Sequence, residues 1–282
     1  MKSQDFGSIA EQLRRSTVRI LSGNQGESGS GSGVIWDSAG LIVTNAHVMR
    51  HHGAQVELWD GRAFPATVQS RDDRRDLAAL RINTWALPAS AAGDSSKLRP
   101  GEMVMAVGNP LGFVGALTTG VVHSIGPLRG FGRRTWVQAA VRLAPGNSGG
   151  PLADAMGNVV GLNTMVMAGG LALAIPSNTV ADFLKRGAGV SLGVTVRPVN
   201  IRSKTTIGLM VLEIARNSPA ETASLLPGDV LVAANNASFS SYEDLSDAID
   251  SANGLLVLRF VRGGGKVREV AVQLSPPQTA AA

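Results

Sequence analysis

The sequence lacks cysteine altogether and has a single tyrosine among its 282 residues. Without cysteine the chain can form no disulfide and no cysteine–histidine metal site, and it has no thiol nucleophile. Aromatic residues make up only 4% of the chain, so its core must be aliphatic. No stretch is long and apolar enough to predict a membrane span, and residues 1–7 lack the apolar core of a signal peptide. We therefore expect a soluble protein, cytoplasmic as the sequence is written.

Charge and phosphate-binding motifs add further exclusions. The chain has 26 basic and 21 acidic residues, a net charge of +5, and its arginines are scattered without interleaved aromatic residues that could stack on bases. No G-x-x-x-x-G-K loop is present to hold a nucleotide. We expect no dedicated nucleic-acid site, no cofactor and no metal.

Glycine is abundant, with 34 residues, and short apolar runs separated by turn signals predict a mainly β protein. Strand candidates follow one another from Thr17–Leu21 to Leu171–Ile175, and the Ser- and Gly-rich segment 22–33 is interpreted as a flexible loop. Strands in this number suit two packed barrels. Helices are predicted near residues 5–15 and over Asn178–Arg186, a stretch that follows a serine cap.

The candidate chemistry centres on the hexapeptide Gly146–Pro151, which contains Ser148. Glycines on both sides of the serine let the backbone turn tightly enough to present the hydroxyl, and they let backbone N–H groups converge on one point. A serine is a poor nucleophile without a base. Taken alone, the hexapeptide also fits a glycine-rich turn between two strands.

A base and an acid occur upstream in suitable contexts. His47 follows a strand-like run, and Asp76 directly precedes the apolar segment Leu77–Leu80. Histidine, aspartate and serine follow one another in the order of chymotrypsin-type triads, in which histidine takes the serine proton and aspartate fixes the histidine tautomer. Asp72 and Asp73 compete with Asp76, which is preferred because the apolar segment places it at the edge of the core.

Three other histidines compete with His47. His51 lies four residues away, but no glutamate lies between the two, so metal chemistry of the HEXXH type is excluded. His51 and His52 are expected in a solvated turn. His123 lies inside an apolar strand candidate and is expected to be a satisfied structural histidine.

Three segments in this order, TNAHV, RDLAAL and GNSGGP, resemble the HtrA (Deg) family of serine proteases. The resemblance implies a mainly β protein with a chymotrypsin-like double β-barrel followed by a small α+β PDZ domain. It places a trypsin-like protease domain over residues 1–188, with an N-terminal segment 1–16, and a PDZ domain over 189–275. Residues 276–282 are expected to be a disordered tail. Relatives usually work in the cell envelope, so a periplasmic or envelope location is expected if the start of the sequence is truncated or misplaced.

The resemblance also assigns roles around Ser148. The oxyanion hole would be formed by the backbone amides of Gly146 and Ser148, with Asn147 between them. Leu143 would line the primary specificity pocket, and the facing wall would come from Leu171, Ala172 and Leu173. No acidic residue stands there to attract a basic side chain, so we expect cleavage after small or medium aliphatic residues.

The C-terminal part carries a second expected site. Leu192, Gly193 and Val194 match the segment that holds the terminal carboxylate of a peptide in PDZ domains of this family. Ser191 stands where relatives often have an aromatic residue. Before the hexapeptide, Ala140 and Ala144 stand where many relatives have an aspartate and an asparagine.

Together these features predict an ATP-independent serine endopeptidase of protein quality control. Its partners would be unfolded or misfolded protein substrates and, at the PDZ domain, C-terminal peptides. A homotrimer is implied, with Phe6, Ile9 and Leu13 as candidate contacts, although this helix could instead cap its own barrel. Two other functions stay open: a PDZ-bearing chaperone or scaffold with little turnover, and an esterase with the same triad, although the G-x-S-x-G elbow is absent.

Overall fold

The structure is a computed structural model that describes residues 5–23, 29–49, 53–128, 134–167, 169–186, 191–201, 206–252, 254–263 and 265–274. These residues form two units: one contains residues 5–128 and 134–186, and the other contains residues 191–274. His51, His52, the expected domain boundary at residues 188–189 and the tail 276–282 lie outside the described residues.

The first unit is built almost entirely from strands. Its elements are α1 (Phe6–Ser16), β1 (Thr17–Ser22), β2 (Gly29–Ile35), β3 (Leu41–Thr44), β4 (Ala54–Glu57), β5 (Ala63–Asp72), β6 (Leu77–Ile82), β7 (Met103–Gly108), β8 (Ala116–Pro127), β9 (Thr135–Ala139), β10 (Pro151–Asp154), β11 (Val159–Val166), β12 (Ala172–Pro176) and α2 (Ser177–Arg186). Short 3₁₀ turns cover Ala46–Val48, Ser95–Lys97 and Pro110–Gly112.

The strands of the first unit close into two barrels. The first barrel has the order β1-β2-β3-β6-β5-β4, and the second has the order β10-β11-β12-β9-β8-β7. Each barrel encloses an aliphatic core, with Ile20, Ile42 and Leu80 in the first and Val104 and Leu152 in the second. The predicted mainly β double barrel is confirmed. Aliphatic, β-branched side chains alternate well across a pleated strand, which explains how a chain with few aromatics fills both barrels.

The prediction of a flexible loop over residues 22–33 is wrong for Ser22 and for residues 29–33, which belong to strands, while residues 24–28 lie outside the described residues. Gly29–Ile35 form β2, which pairs with β1 in antiparallel register from Thr17 opposite Val34 to Ser22 opposite Gly29. The small residues reflect close packing here: a Cβ on Gly31 would lie 2.6 Å from a methyl carbon of Val48. Glycine at Gly31 and Gly33 therefore marks a crowded part of this strand, where a larger side chain has no room.

Helix α1 packs on the second barrel. Ile9 and Leu13 are buried together with Met105 and Val107, whereas Phe6 is 44% exposed. Asp5 caps the helix by accepting the backbone N–H of Ser8. Of the three candidate trimer contacts, only Phe6 is presented to solvent in this chain.

Helix α2 ends the first unit and begins one residue earlier than predicted. The Ser177 hydroxyl donates to the Gly93 carbonyl at 2.7 Å, and the Asn178 amide donates to Asp94 at 2.8 Å. These bonds hold α2 against the segment that joins the two barrels.

The second unit is a small α+β fold. Its elements are β13 (Val194–Asn200), β14 (Ile207–Ile214), α3 (Pro219–Thr222), β15 (Val230–Ala234), β16 (Ala237–Ser238), α4 (Glu243–Ser251), β17 (Leu255–Arg262) and β18 (Lys266–Gln273). The sheet order is β13-β14-β15-β17-β18, with β16 paired to β15. Leu245 and Ile249 of α4 are buried in its core. Among the helices that the structure describes, none has the length and apolar composition needed to cross a bilayer.

Candidate active site

The loop that carries Ser148 joins β9 to β10 in the second barrel. A tight turn precedes the serine, in which the Asn147 N–H donates to the Ala144 carbonyl at 3.0 Å and Gly146 has φ +105°. A side chain at Gly146 would also place its Cβ 2.6 Å from the Asn109 carbonyl oxygen. Only glycine satisfies both conditions, which accounts for this glycine of the hexapeptide.

His47 lies in the first barrel, on the 3₁₀ turn that follows β3. Its side chain is 49% exposed, and its Nδ1 atom lies 2.9 Å from Asp76 Oδ1 and 2.8 Å from Asp76 Oδ2. The backbone N–H of His47 also donates to Asp76 Oδ1 at 3.0 Å. This carboxylate thus holds both the ring and the backbone of the histidine.

Asp76 occupies the turn between β5 and β6 in a left-handed conformation, with φ +56°. Aspartate tolerates this region better than most residues, and the Asn45 side-chain amide supports it by donating to the Asp76 carbonyl at 3.0 Å. The Thr164 hydroxyl donates to Asp76 Oδ2 at 2.7 Å. Non-glycine residues held at positive φ concentrate at functional sites.

Burial of the Asp76 carboxyl acts to raise its pKa, but hydrogen bonds outweigh that effect. The His47 ring, the Thr164 hydroxyl and the His47 backbone N–H all donate to the carboxylate and lower its pKa below the ordinary value. Asp76 is therefore ionised near neutral pH, as required of a group that orients a histidine.

The competing acids and histidines have other surroundings. Asp72 is buried and pairs with Arg75 at 3.1 Å, and the exposed Asp73 pairs with Arg71 at 2.6 Å. The expectation that His123 is a satisfied structural histidine is wrong about its surroundings, because the side chain lies on an exposed position of β8. The strand's apolar composition suggested burial, but the side chain points to its outer face.

Ser148 and His47 come from different barrels and are connected by hydrogen bonds through Thr164 of β11 and Asp76. The Ser148 hydroxyl donates to the Thr164 carbonyl at 2.9 Å, while the Thr164 hydroxyl donates to Asp76. Among the hydrogen bonds of the described residues, none joins Ser148 to His47. Catalytic hydrogen bonds are often long or misaligned without substrate, so this arrangement is compatible with a resting site.

Thr164 was not identified from the sequence. The available signal was a pair of polar residues, Asn163 and Thr164, inside the otherwise apolar strand β11. Both are buried, and Asn163 donates to the Pro151 carbonyl at 2.8 Å. Buried polar side chains inside a barrel strand need partners, and here the partners belong to the candidate site.

The amides near Ser148 differ in their availability. Asn147 donates its N–H to Ala144, so this amide already has an acceptor. In the described part of the chain, the N–H groups of Gly146 and Ser148 donate to no protein acceptor. These are the two amides expected to bind an oxyanion.

The expected pocket residues divide between two faces. Leu143 is half-buried and packs against the second-barrel core cluster that contains Ala172. Strand alternation turns Leu173 to the opposite face of β12 from Ala172, and Leu173 is fully buried. Leu171 is half-buried just before the strand. The four residues therefore do not line one common surface.

The expected peptide site lies at the start of the second unit. Leu192 is buried in its core, Gly193 has φ +76° and Val194 begins the edge strand β13. The Gly193 N–H donates to the Ser191 hydroxyl at 3.1 Å. Ser191, in the place of an aromatic residue, thus occupies an amide at this site.

Comparisons with known proteins agree with both units. The model of the trypsin-like peptidase domain matches residues 31–162, and that of the PDZ domain matches residues 210–262. Mitochondrial serine protease HTRA2 of Drosophila sechellia is 33% identical, with 91% of this chain and 68% of that protein covered. The same protease of Drosophila ananassae is 34% identical with the same coverage. The solved structure of HtrA-type protease AlgWS227A with tripeptide is 27% identical, with a TM-score of 0.72 over 97% of this chain and 99% of that one.

The double barrel and these matches place the chain in the class of trypsin-like serine proteases. Within that class it belongs to the HtrA family, whose members join this protease fold to a PDZ domain. It is a serine endopeptidase.

Proposed function

We propose that Ser148, His47 and Asp76 form the catalytic triad of this endopeptidase. The observation that carries the proposal is the contact between the Asp76 carboxylate and His47 Nδ1. The loop between β9 and β10 that carries Ser148, here called the serine loop, supplies the nucleophile. With its Nδ1–H donated to the carboxylate, the histidine keeps Nε2 free as the basic nitrogen. Asp72 and Asp73, which pair with arginines, offer no comparable contact.

The reaction follows from these roles. Ser148 Oγ attacks the scissile carbonyl carbon and gives its proton to His47 Nε2, while the N–H groups of Gly146 and Ser148 bind the oxyanion. The protonated histidine then donates that proton to the leaving amine. Water attacks the acyl-enzyme with His47 again as base, releasing the second product and restoring the serine.

The substrates we propose are unfolded or misfolded proteins, cut after small or medium aliphatic residues. Leu143 and the small Ala172 pack with the same apolar cluster, and none of the four expected pocket residues is acidic. An apolar pocket distinguishes side chains by only about 1–3 kcal/mol per methylene, so specificity should be loose. The lack of a nucleotide-binding motif supports ATP-independent action, in which instability of the substrate itself exposes the chain to be cut.

The domain roles are also proposals. Residues 1–188 would form the protease domain and 189–275 the PDZ domain, which would bind C-terminal peptides at Leu192–Val194. The solved structure of AlgW with a tripeptide supports peptide binding in this family. A homotrimer is proposed from the family, with the exposed Phe6 as its contact on α1.

A second candidate function is a PDZ-bearing chaperone or scaffold with little turnover. The observation in its favour is the Ser148 hydroxyl, which is hydrogen-bonded to the Thr164 carbonyl and not to His47. With this function the catalytic site would stay inactive, and the chain would bind client proteins without cleaving them.

Casein degradation by the purified chain separates these two functions. Wild type and Ser148→Ala are compared with and without a C-terminal peptide ending in an aliphatic residue, and Ser30→Ala, an exposed serine on β2, is the matched control. The protease proposal expects cleavage by wild type and Ser30→Ala and none by Ser148→Ala. If wild type cuts nothing yet suppresses aggregation of a client as well as Ser148→Ala does, the chaperone function replaces it.

A further inference from the structure

A buried polar cluster contacts the serine loop and has no part in the proposed catalytic roles. Ser32 on β2 of the first barrel and Asn109, which follows β7 of the second barrel, are almost completely buried. The Asn109 backbone N–H donates to Ser32 Oγ at 2.8 Å, and its side-chain amide donates to the Val18 carbonyl at 2.9 Å. Asn109 Oδ1 accepts the Gly115 N–H at 3.0 Å. The cluster therefore connects the two barrels.

Ser32 uses every polar atom it has, and two of its bonds reach the serine loop. Its hydroxyl donates to the Gly146 carbonyl at 2.7 Å, and its backbone N–H donates to the Ser148 carbonyl at 2.8 Å. Its own carbonyl accepts the Thr44 hydroxyl at 2.7 Å. The hydroxyl is thus fixed as donor to Gly146 because the Asn109 N–H occupies it as acceptor.

Hydrogen bonds to the carbonyls of the loop that carries Ser148 control the direction of its oxyanion-binding amides. A peptide group is planar, so a carbonyl held on one side fixes the N–H on the other side of the same plane. The Pro145 carbonyl accepts the Leu111 N–H at 3.3 Å, which fixes the Gly146 N–H. The Asn147 carbonyl accepts the Gly150 N–H at 3.0 Å, which fixes the Ser148 N–H. The plane between these two joins the Gly146 carbonyl to the Asn147 N–H; the carbonyl accepts from Ser32, and the N–H donates to the Ala144 carbonyl.

Gly146 gives this middle peptide plane more conformational freedom than a residue with a side chain would. Gly146 can change φ and ψ with little steric cost, so rotation of its carbonyl would swing the neighbouring amides away from a common point. Rotation would leave the buried Gly146 carbonyl without its donor and the Ser32 hydroxyl without its acceptor, and it would break the bond from the Asn147 N–H to Ala144, which is costly. We propose that Ser32, oriented by Asn109, is a positioning residue of this endopeptidase. Its hydrogen bond to the Gly146 carbonyl holds the serine loop in the conformation in which the Gly146 and Ser148 amides bind the oxyanion.

This proposal rests on the proposed roles of Ser148 and its neighbouring amides, and it predicts a specific kinetic defect for Ser32→Ala. Removing one oxyanion donor lowers kcat by about 10²–10³-fold, so loosening a donor pair should cost less, about 10- to 100-fold. The loss should appear in kcat, counted per active site that reacts with a fluorophosphonate, with KM nearly unchanged. The inhibition constant of a peptide aldehyde, whose adduct carries the oxyanion, should rise by the same factor that kcat/KM falls.

A matched variant separates positioning from general stability. Ser16 is another buried serine; its hydroxyl donates to the Leu13 carbonyl and accepts from Ser90, away from the serine loop. Ser16→Ala should destabilise the fold about as much as Ser32→Ala while leaving kcat per reactive site and aldehyde affinity unchanged. Equal kinetics for Ser32→Ala and Ser16→Ala would overturn the proposal.

A second substitution covers the case in which Ser32→Ala fails to fold. Ser32→Cys keeps a weak donor and acceptor at this position, and because the chain has no other cysteine, its resistance to a thiol reagent reports directly that the position is still buried. The kcat of Ser32→Cys should lie between those of wild type and Ser32→Ala. If Ser32→Ala is unfolded, the kcat of Ser32→Cys should be several-fold below that of wild type. A protected thiol with wild-type kcat and wild-type aldehyde affinity would refute the positioning role. If wild type itself neither reacts with the fluorophosphonate nor cuts a peptide, the triad proposal fails instead.

Discussion

Replacing Asp76 with asparagine tests the role of its charge while keeping its shape. Three donors converge on the carboxylate: the His47 N–H reaches Oδ1 at 3.0 Å, the Thr164 hydroxyl reaches Oδ2 at 2.7 Å, and His47 Nδ1 lies within 2.9 Å of both oxygens. Asparagine has one oxygen and one NH₂ in their place. The backbone N–H can only donate, so it keeps the amide oxygen, and the NH₂ turns toward His47 Nδ1.

The consequence is a histidine in the wrong tautomer. Facing an NH₂ donor, Nδ1 becomes the acceptor and the ring proton moves to Nε2, which can then no longer take the proton of Ser148. Loss of the correct tautomer in triads of this kind lowers kcat by about 10⁴-fold, a rise in the activation barrier of about 5 kcal/mol. The Thr164 hydroxyl can rotate to accept from the NH₂, so the fold should be little affected.

The assay is kcat on a chromogenic peptide substrate at neutral pH, with thermal unfolding measured on the same samples. Asp73→Asn is the matched control, because this exposed carboxylate lies in the same turn and forms an ion pair with Arg71, away from His47. It should retain wild-type kcat. A fall of less than tenfold for Asp76→Asn, in a folded protein with wild-type thermal stability, would refute the assignment of Asp76.

Three further predictions concern the rest of the chain. Asp229 is 1% exposed and forms a bidentate salt bridge with Arg262, with both N–O distances at 2.7 Å. Asp229→Asn should lower the free energy of unfolding by about 3 kcal/mol, the lower end of the range for buried pairs, because Arg262 is partly exposed. Urea unfolding followed by far-UV circular dichroism measures this loss; an unchanged transition would contradict the buried pair. Hydrogen bonds from the Ser96 hydroxyl, the Asn178 amide and the Ser96 N–H lower the pKa of Asp94 from 3.8 to about 2, so this group stabilises the fold above pH 3.8 and loses that effect as pH falls toward 2. Asp94→Asn should flatten acid unfolding in that window, and an unaltered pH profile would count against the network at α2. Ser191→Ala frees the Gly193 N–H for a terminal carboxylate and should tighten binding of an aliphatic-ended peptide about 2- to 10-fold, measured by fluorescence anisotropy, whereas equal or weaker binding would speak against this site.

Most of the strands and the three triad candidates were accessible from the sequence because their signals are local. Leu77–Ile82, Thr135–Ala139 and Val159–Val166 are strands with the predicted bounds, since apolar and β-branched runs end at clear turn residues. Asp76 was preferred over its neighbours because an apolar run follows it, and the structure places it, and not Asp72 or Asp73, beside His47. Its roles as a catalytic group remain predictions.

The residues that sequence reasoning missed act through contacts between distant segments. Ser32 and the Gly146 carbonyl are 114 positions apart, and Thr164 and Asp76 are 88 apart, so no local pattern marks either pair. Composition was also misleading where packing decides: Gly31 and Gly33 of β2 are glycines because neighbouring side chains leave no room for a Cβ. The resemblance gave pocket positions without side-chain directions, so it did not indicate that Ala172 and Leu173 lie on opposite faces of β12.

The most direct test of the account is to locate the residue that reacts with a fluorophosphonate by peptide mass spectrometry. A triad of Ser148, His47 and Asp76 predicts one adduct per chain, on Ser148, and its loss in His47→Ala, while His123→Ala reacts like wild type. No adduct on Ser148 in the folded wild-type chain, or an undiminished adduct in His47→Ala, would contradict the triad.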